Sequence, residues 1–464
     1  MIRILHAHFP TRTVFLGISE ACLIAFAFVL ATIARLGPND GSIVLSYEQG
    51  FVKILIVAVA FIVCMYYFDL YDSLVLHNPR EVHTRLIQMY GTVSILLAGF
   101  YYLYPPLELG RGVFLIGFIS VPILLLIWRH LFLRLSSLSL FAERVLILGD
   151  GPLTESLAAE LKDRPILGIK VVGQLKSFEH ANGGFASASS EERLQAIVSS
   201  IKAHEPDRII VASPDWRGDV PLNALLELNS RGISIQDGRE AYEAVTGKIP
   251  LEALGLNRLL FSVGFRVSRP LVLYKRTASI IVSAIGLLLT LPLMALIALA
   301  IRLDSEGPII FRQKRVGQGG RTFVLYKFRT MLVDANQDDN YPPTEIMDRR
   351  FTRVGRWLRR TRLDEIPQFF NILIGDMHFI GPRPFVPNQE EECAGRIPFY
   401  RHRWVVKPGA TGWAQVNRGY NVTIEDNREK LAYDLFYIKN ISVGLDLLIL
   451  IMTAKILLLG RGSR

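Results

Sequence analysis

RRFTRVGRWLRRTRLDEIPQFFNILIGDMHFIGPRP, residues Arg349–Pro384, is the stretch on which the reading of this chain turns. Seven arginines fall within the fourteen residues Arg349–Arg362 with no acid among them, and Asp364 and Glu365 follow side by side. Pro367 and the apolar run Phe369–Ile374, closed by Gly375, predict a helix beginning near Asp364, because Pro is tolerated in a first helical turn. Both carboxylates would then sit at a helix N-terminus, where backbone N–H groups and the macrodipole keep an acid ionised and attract phosphate. Adjacent helical residues point about 100° apart, so one carboxylate can face a substrate while the other holds a metal. An isolated Asp-Glu before a helix is ordinarily a cap beside a solvated face. Here the arginines upstream and the rigid Gly381-Pro-Arg-Pro384 downstream favour a polyanionic substrate instead.

Composition agrees with a membrane protein handling phosphates. Half of the 464 residues are hydrophobic and the net charge is +10. No nucleic-acid-binding motif is present, so anionic lipid and nucleotide phosphates are the expected partners, with no nucleic acid. The three cysteines, Cys22, Cys64 and Cys393, lack metal-ligand spacing and form no disulfide framework.

Four apolar segments, Phe15–Ala34, Phe51–Phe68, Leu86–Tyr104 and Val113–Leu133, each approach the length of a membrane span. The first follows Arg3 and Arg12 and lacks a small-residue cleavage site, so it reads as an anchor. The loop Leu36–Gly50 carries no Lys or Arg, whereas Arg80 and Arg85 lie on the next loop and Arg129, His130 and Arg134 end the fourth segment. Arg111 is the one dissenting charge. The positive-inside rule then places the N-terminus and everything after residue 134 in the cytoplasm.

Arg144-Val-Leu-Ile-Leu-Gly-Asp-Gly151 reads as a strand running into a Gly-x-Gly turn, followed by a helical Thr154–Leu161. Strand-like runs at Lys170–Gly173, Arg208–Ala212 and Ser234–Gln236 alternate with helical patterns at Glu191–His204 and Pro221–Arg231, which predicts a Rossmann-like domain. Thr154 replaces the third glycine of the dinucleotide fingerprint, and no acid lies between Ile166 and Ser177 to hold a ribose. The domain is therefore expected to be structural or regulatory.

Thr277–Ile301 is uncharged and interrupted by Pro292, with Lys275 and Arg276 before it and Arg302, Arg312, Lys314 and Arg315 after it. Basic residues on both flanks predict a segment that enters and leaves by one face, and Pro292 a place for the backbone to break. Strand-like alternation ending in Lys327 and Arg329 would present both cations to one phosphate site. Leu332–Asp348 is acidic and reads as a loop, and Asn421-Val-Thr423 is a glycosylation sequon with no meaning in the cytoplasm. Ile441–Leu459 is apolar apart from Asp446 and Lys455, which predicts an interfacial helix.

Leu363-Asp-Glu-Ile-Pro-Gln368, Asn371, Gly375-Asp-Met377 and Gly381-Pro-Arg-Pro384 resemble the signature of the bacterial sugar transferases, the monotopic polyprenyl-phosphate sugar-1-phosphate transferases. Lys327-Phe-Arg-Thr-Met331 and Lys407-Pro-Gly-Ala-Thr-Gly-Trp-Ala-Gln-Val-Asn417 extend the resemblance, which runs from about Leu273 to the C-terminus. The whole chain looks like the long-form members. The expected architecture is a membrane α-helical bundle over 1–140, an α/β Rossmann-like domain over 142–262, and an α/β monotopic catalytic domain over 263–464 whose re-entrant membrane helix is 277–301. Two departures stand out: relatives commonly carry Asp where Ser279 stands, and Ser where Leu291 precedes the central proline, with Thr290 a substitute hydroxyl.

The resemblance implies that Asp364 attacks the β-phosphate of a UDP-sugar, expels UMP, and passes the phosphosugar to polyprenyl phosphate, the first membrane step of exopolysaccharide or O-antigen synthesis. Glu365 is the expected ligand of Mg²⁺, which would neutralise the diphosphate. Arg359 and Arg383 match family positions for phosphate, with Gln368, Lys327 and Arg329 as further substrate contacts. Trp413, Gln415 and Asn417 are expected to shape the nucleotide pocket. The expected sugar is glucose or galactose, the location the inner membrane of a bacterium with the catalytic domain on its cytoplasmic face, and a homodimer is a further expectation. A membrane-anchored nucleotide-sugar dehydratase or epimerase would need Tyr-x-x-x-Lys, and none of the sixteen tyrosines has Lys four positions on. A non-catalytic scaffold leaves the acid pair among its arginines unexplained.

Overall fold

The computed structural model describes residues 2–4, 7–9, 11–72, 75, 79–137, 142–149, 151–164, 167–175, 199, 203–212, 222–255, 269–332, 350–418 and 423–459. The expected acidic loop at 333–348, the sequon at 421–422 and nearly all of the expected helix 191–204 lie outside these residues. The chain divides into two compact units, Met1–Arg3 with His8–Ala241, and Ile4–Ala7 with Tyr242–Arg464.

The first unit follows the hydropathy pattern. After two short paired strands, β1 (Ile2–Ile4) and β2 (Ala7–Phe9), come α1 (Thr11–Leu36), α2 (Pro38–Tyr47), α3 (Gly50–Tyr67), α4 (Pro79–Leu103) and α5 (Arg111–Ser137). Four of these helices, all but α2, are long and apolar enough to cross a membrane. Their shared core includes Phe28, Phe61, Met65, Met89 and Leu125, while residues such as Phe26, Leu55 and Ile95 point outward, as expected where lipid is the solvent. Inside the bundle Arg129 Nε donates to Glu20 Oε1 at 2.6 Å and Nη1 to the Leu70 carbonyl at 3.2 Å, so both buried charges are paired.

A parallel four-stranded sheet follows, ordered β4-β3-β5-β6, from β3 (Glu143–Leu148), β4 (Ile169–Leu175), β5 (Arg208–Val211) and β6 (Ser234–Asp237). The four predicted strands are present, with α6 (Pro152–Lys162) and α7 (Leu222–Ser230) at the predicted helices. Thr154, the residue that breaks the glycine fingerprint, is fully buried and its hydroxyl donates to the Ala212 carbonyl at 3.4 Å. A side chain that packs inward fills a structural place at this turn.

After α8 (Gly238–Thr246), the second unit is built on α9 (Arg269–Asp304), 36 residues long. The predicted break at Pro292 does not occur, since helix continues through it. Thr290 hydroxyl donates to the Gly286 carbonyl at 2.6 Å, so its hydrogen bond stays within the helix. At about 1.5 Å per residue α9 measures ~54 Å, well beyond the ~30 Å hydrocarbon core of a bilayer. Both of its ends are nevertheless held by the same unit. Near the start, Arg276 donates to the carbonyls of Ile372 and Leu373 at 2.6 and 2.7 Å, and Ser279 accepts from the Phe379 amide at 3.2 Å. At the end, Asp304 accepts the Val354 amide at 2.9 Å. Between them Leu288, Leu289 and Leu291 are exposed.

The hairpin β7 (Ile310–Val316) and β8 (Thr322–Phe328) comes next, then α10 (Arg353–Thr361), a 3₁₀ turn Leu363–Glu365, and α11 (Gln368–Ile374). The parallel pair β9 (His378–Ile380) and β10 (Gly409–Thr411) brackets α12 (Pro387–Arg396). The chain closes with α13 (Trp413–Asn417), α14 (Ile424–Lys439) and α15 (Val443–Leu459). Asp446, expected to lie at a membrane interface, is instead buried, accepting from Tyr437 at 2.6 Å and paired with Lys275 at 3.2 Å. That pair joins α15 to the start of α9, and Leu445 and Ile449 fix α15 to the core.

Candidate active site

The acid pair is placed by a change of backbone hand. Thr352 caps α10, accepting the Gly355 amide at 2.9 Å, and the helix ends where Arg362 adopts φ 58°, a left-handed conformation uncommon outside glycine. The chain reverses there into the 3₁₀ turn that holds Asp364 and Glu365. The predicted helix start near Asp364 is therefore a separate turn, with α11 beginning only at Gln368. A short tight turn puts the two carboxylates in different surroundings.

Glu365 Oε1 meets Lys327 Nζ at 2.8 Å, Arg383 Nη2 at 3.1 Å and Arg362 Nη1 at 3.9 Å. Burial favours its neutral form, but Lys327, Arg383 and Arg362 outweigh that and hold its carboxyl well below the usual carboxylate range. Asp364, 7% exposed, responds oppositely. Burial pushes its carboxyl up, and Glu365 adds to this against the opposing pull of Lys327, Arg359 and Arg362. At Asp364 burial is the largest influence, so its proton affinity lies above that of an ordinary carboxylate, whereas that of Glu365 lies below. Two neighbouring carboxyls with affinities driven apart can take different parts in one reaction.

Lys327 arrives on β8, Arg383 on the Gly381–Pro384 loop, and Arg359 on α10, where its guanidinium lies 4.5 Å from the Phe351 ring centroid. Close backbone approach fixes that loop. A Cβ on Gly409 would come within 2.0 Å of the Gly381 nitrogen, and one on Gly412 within 2.1 Å of the Gly381 oxygen. The glycines of two distant motifs are thus required by one contact. Arg403 completes the support: it donates to the Arg383 carbonyl at 2.8 Å, to Asp434 at 2.9 Å and to Glu390 at 3.2 Å, and is 4% exposed. Sequence reasoning passed over Arg403, whose signal is only a basic residue among aromatics. Burial raises the Asp434 carboxyl to about 6 despite Arg403.

Other expected site residues lie elsewhere. Arg329 is 5% exposed and its guanidinium donates to the carbonyls of Glu306 and Ser305 at 2.5 and 2.7 Å, just beyond the C-terminus of α9. It satisfies backbone acceptors rather than a phosphate, because the strand ends at Phe328 and the alternation that paired it with Lys327 stops. Trp413 stacks on Phe436 at 6.0 Å and donates to the Gly247 carbonyl at 2.9 Å, placing it in the core. Gln415 donates to the Ala410 carbonyl at 3.0 Å and Asn417 to that of Trp413 at 2.8 Å. Trp413 thus belongs to the core instead of a nucleotide pocket, and Gln415 and Asn417 hydrogen-bond within their own turn. Gln368 is buried at the first position of α11.

Mg²⁺ commonly binds through one or two carboxylates together with substrate phosphates, keeping several waters. Glu365, the expected ligand, supplies one such carboxylate, its Oε1 already facing Lys327 and Arg383. Among the described residues there is no group of three or more His, Cys, Asp and Glu side chains able to hold a metal, so phosphate oxygens would have to complete the donor set.

Residues 271–460 match the family described as bacterial sugar transferase, and residues 66–219 that described as CoA-binding domain. The chain is 41% identical over 227 residues to an Aeromonas hydrophila UDP-N-acetylgalactosamine-undecaprenyl-phosphate N-acetylgalactosaminephosphotransferase, a match covering 49% of this chain and 52% of that protein. It is 31% identical over 392 residues to a Klebsiella pneumoniae UDP-glucose:undecaprenyl-phosphate glucose-1-phosphate transferase, covering 80% and 81%. An Escherichia coli protein of the latter name is 34% identical, with 67% and 66% covered. The chain therefore spans about half of the Aeromonas relative's length and four fifths of the Klebsiella one.

Proposed function

The chain belongs to the bacterial sugar transferase family, and from that premise we propose that it is an enzyme moving a sugar-1-phosphate from a UDP-sugar to undecaprenyl phosphate. The observation that carries the reading is the acid pair itself: Asp364 buried, beside Glu365 with Lys327 and Arg383 on one oxygen. The relatives lend no support to a dehydratase, an epimerase or a scaffold.

An Asp364 carboxylate oxygen bonds to the β-phosphorus of the UDP-sugar. The bond from that phosphorus to the bridging oxygen breaks, and UMP leaves with the electron pair. The lipid phosphate then attacks the same phosphorus, forming polyprenyl diphosphate-sugar and returning the carboxylate. Carboxylate nucleophiles split a hard displacement into two easier ones in this way. Lys327, Arg383 and Arg359 surround the acid pair with cations suited to diphosphate oxygens. Glu365 orients Lys327 and Arg383, and burial strips water from the Asp364 carboxylate, leaving it a less solvated nucleophile. When bound by Glu365 and the diphosphate, Mg²⁺ would supply further neutralisation of charge.

The proposed donor is UDP-glucose, the sugar named for the Klebsiella and Escherichia relatives. Purified protein with undecaprenyl phosphate and a panel of UDP-sugars should release UMP fastest from UDP-glucose. Release from UDP-N-acetylgalactosamine alone would change the sugar, and release from none would reject the enzyme.

We further propose that the protein sits in the inner membrane with its second unit on the cytoplasmic face and α9, bent at Pro292 without loss of its helix, entering and leaving by that face. The anchoring of both α9 ends to one unit supports this, as do the basic flanks. Leu273→Cys and Leu303→Cys, exposed positions near the two ends, should both resist an impermeant thiol reagent added from the periplasm. Labelling of one alone would mean a complete span.

A further inference from the structure

Asn371 has no part in the reaction as written, yet it is fully buried six residues after Glu365. Its side chain makes three bonds. Oδ1 accepts the Tyr326 amide at 3.0 Å, while Nδ2 donates to the Val324 carbonyl at 2.6 Å and to Asp376 Oδ2 at 3.3 Å. In a strand the carbonyl of one residue and the amide two residues on share an edge. Asn371 therefore engages β8 on the edge away from β7, as a neighbouring strand would, with one side-chain amide. The next residue along β8 is Lys327, and the element carrying Asn371 continues the turn that carries Asp364 and Glu365. The Lys327–Glu365 contact at 2.8 Å joins the same two elements a few residues away. Asn371 also holds the far end of α11, its carbonyl accepting the Gly375 and Asp376 amides at 3.1 and 3.0 Å.

We propose that Asn371 is a positioning residue for phosphosugar transfer, its amide setting the spacing between the strand that carries Lys327 and the turn that carries the acid pair. The inference rests on the function proposed above. A carboxamide suits this position because it offers donor and acceptor together without a charge. Asp keeps the acceptor but turns an oxygen towards the Val324 carbonyl and Asp376, and Ala leaves the strand groups unpaired. Small displacements of groups around a reacting centre cost about 10²-fold in rate.

The test is a double-mutant cycle on full-length protein in detergent, reading UMP release per folded enzyme. Asn371→Ala should lower kcat by about 10²-fold. In a Lys327→Met background the same change should cost less than about threefold, since the pair it positions is gone. Asn371→Asp, closest in size, should behave as Asn371→Ala does and serves if the alanine variant does not fold. Losses of equal factor in both backgrounds, or full kcat in the folded single variants, would overturn the positioning role. A wild-type protein that releases no UMP from any UDP-sugar would overturn the function itself, and this proposal with it.

Discussion

Asp364→Asn is expected to abolish turnover, by more than about 10³-fold, while leaving the UDP-sugar bound. The substitution keeps the size and the hydrogen-bonding oxygen and removes only the attacking charge. Lys327, Arg359 and Arg383 remain to hold the diphosphate, so affinity for the donor should change far less than rate. The reaction offers a more direct reading as well. Wild-type protein given UDP-sugar without the lipid acceptor should gain the mass of one phosphosugar, located on the peptide that contains Asp364. An adduct on another residue, or substantial activity in the asparagine variant, would favour direct attack by the lipid phosphate.

Glu365→Gln should lower turnover by about 10²-fold or more, comparable to removal of one preorganised electrostatic partner in other active sites. Its carboxylate is the anion on which Lys327 and Arg383 converge, at 2.8 and 3.1 Å. A neutral amide gives them no charge to meet, and the cations lose their common orientation towards substrate. Raising Mg²⁺ should restore part of the rate and no more, because ordering of the two cations does not depend on the metal. Measuring UMP release across a Mg²⁺ titration separates these contributions. Turnover above about a tenth of wild type at ordinary Mg²⁺ would exclude Glu365 from the machinery.

Much of the site was legible in the sequence because its parts are close together in the chain. The acid pair, the arginines of α10 and Arg383 lie within one short stretch. Lys327 was legible too, since it ends a strand of regular alternation. Arg329 misled for the same reason: periodicity predicts a shared face only while the strand continues, and this strand stops at Phe328. Trp413 misled because an aromatic in a glycine-rich turn serves the core or a pocket with the same local pattern, and only its stacking on Phe436 decides.

Hydropathy and charge by themselves determined the membrane helices, the βα alternation of the middle region and the acid pair among cations. Each of these is a local pattern, set by burial period or by neighbouring charges. What only the tertiary structure decided was the use of each group once distant segments met. Asp446 left the interface to pair with Lys275, some 170 residues earlier, because a charge buried by packing needs an opposite partner. Arg403 came to support Arg383 through a backbone carbonyl, a bond that no sequence spacing announces. Asp364 and Glu365, adjacent and both acidic in sequence, were driven apart in proton affinity because one turn buries the first and aims the second at Lys327 and Arg383.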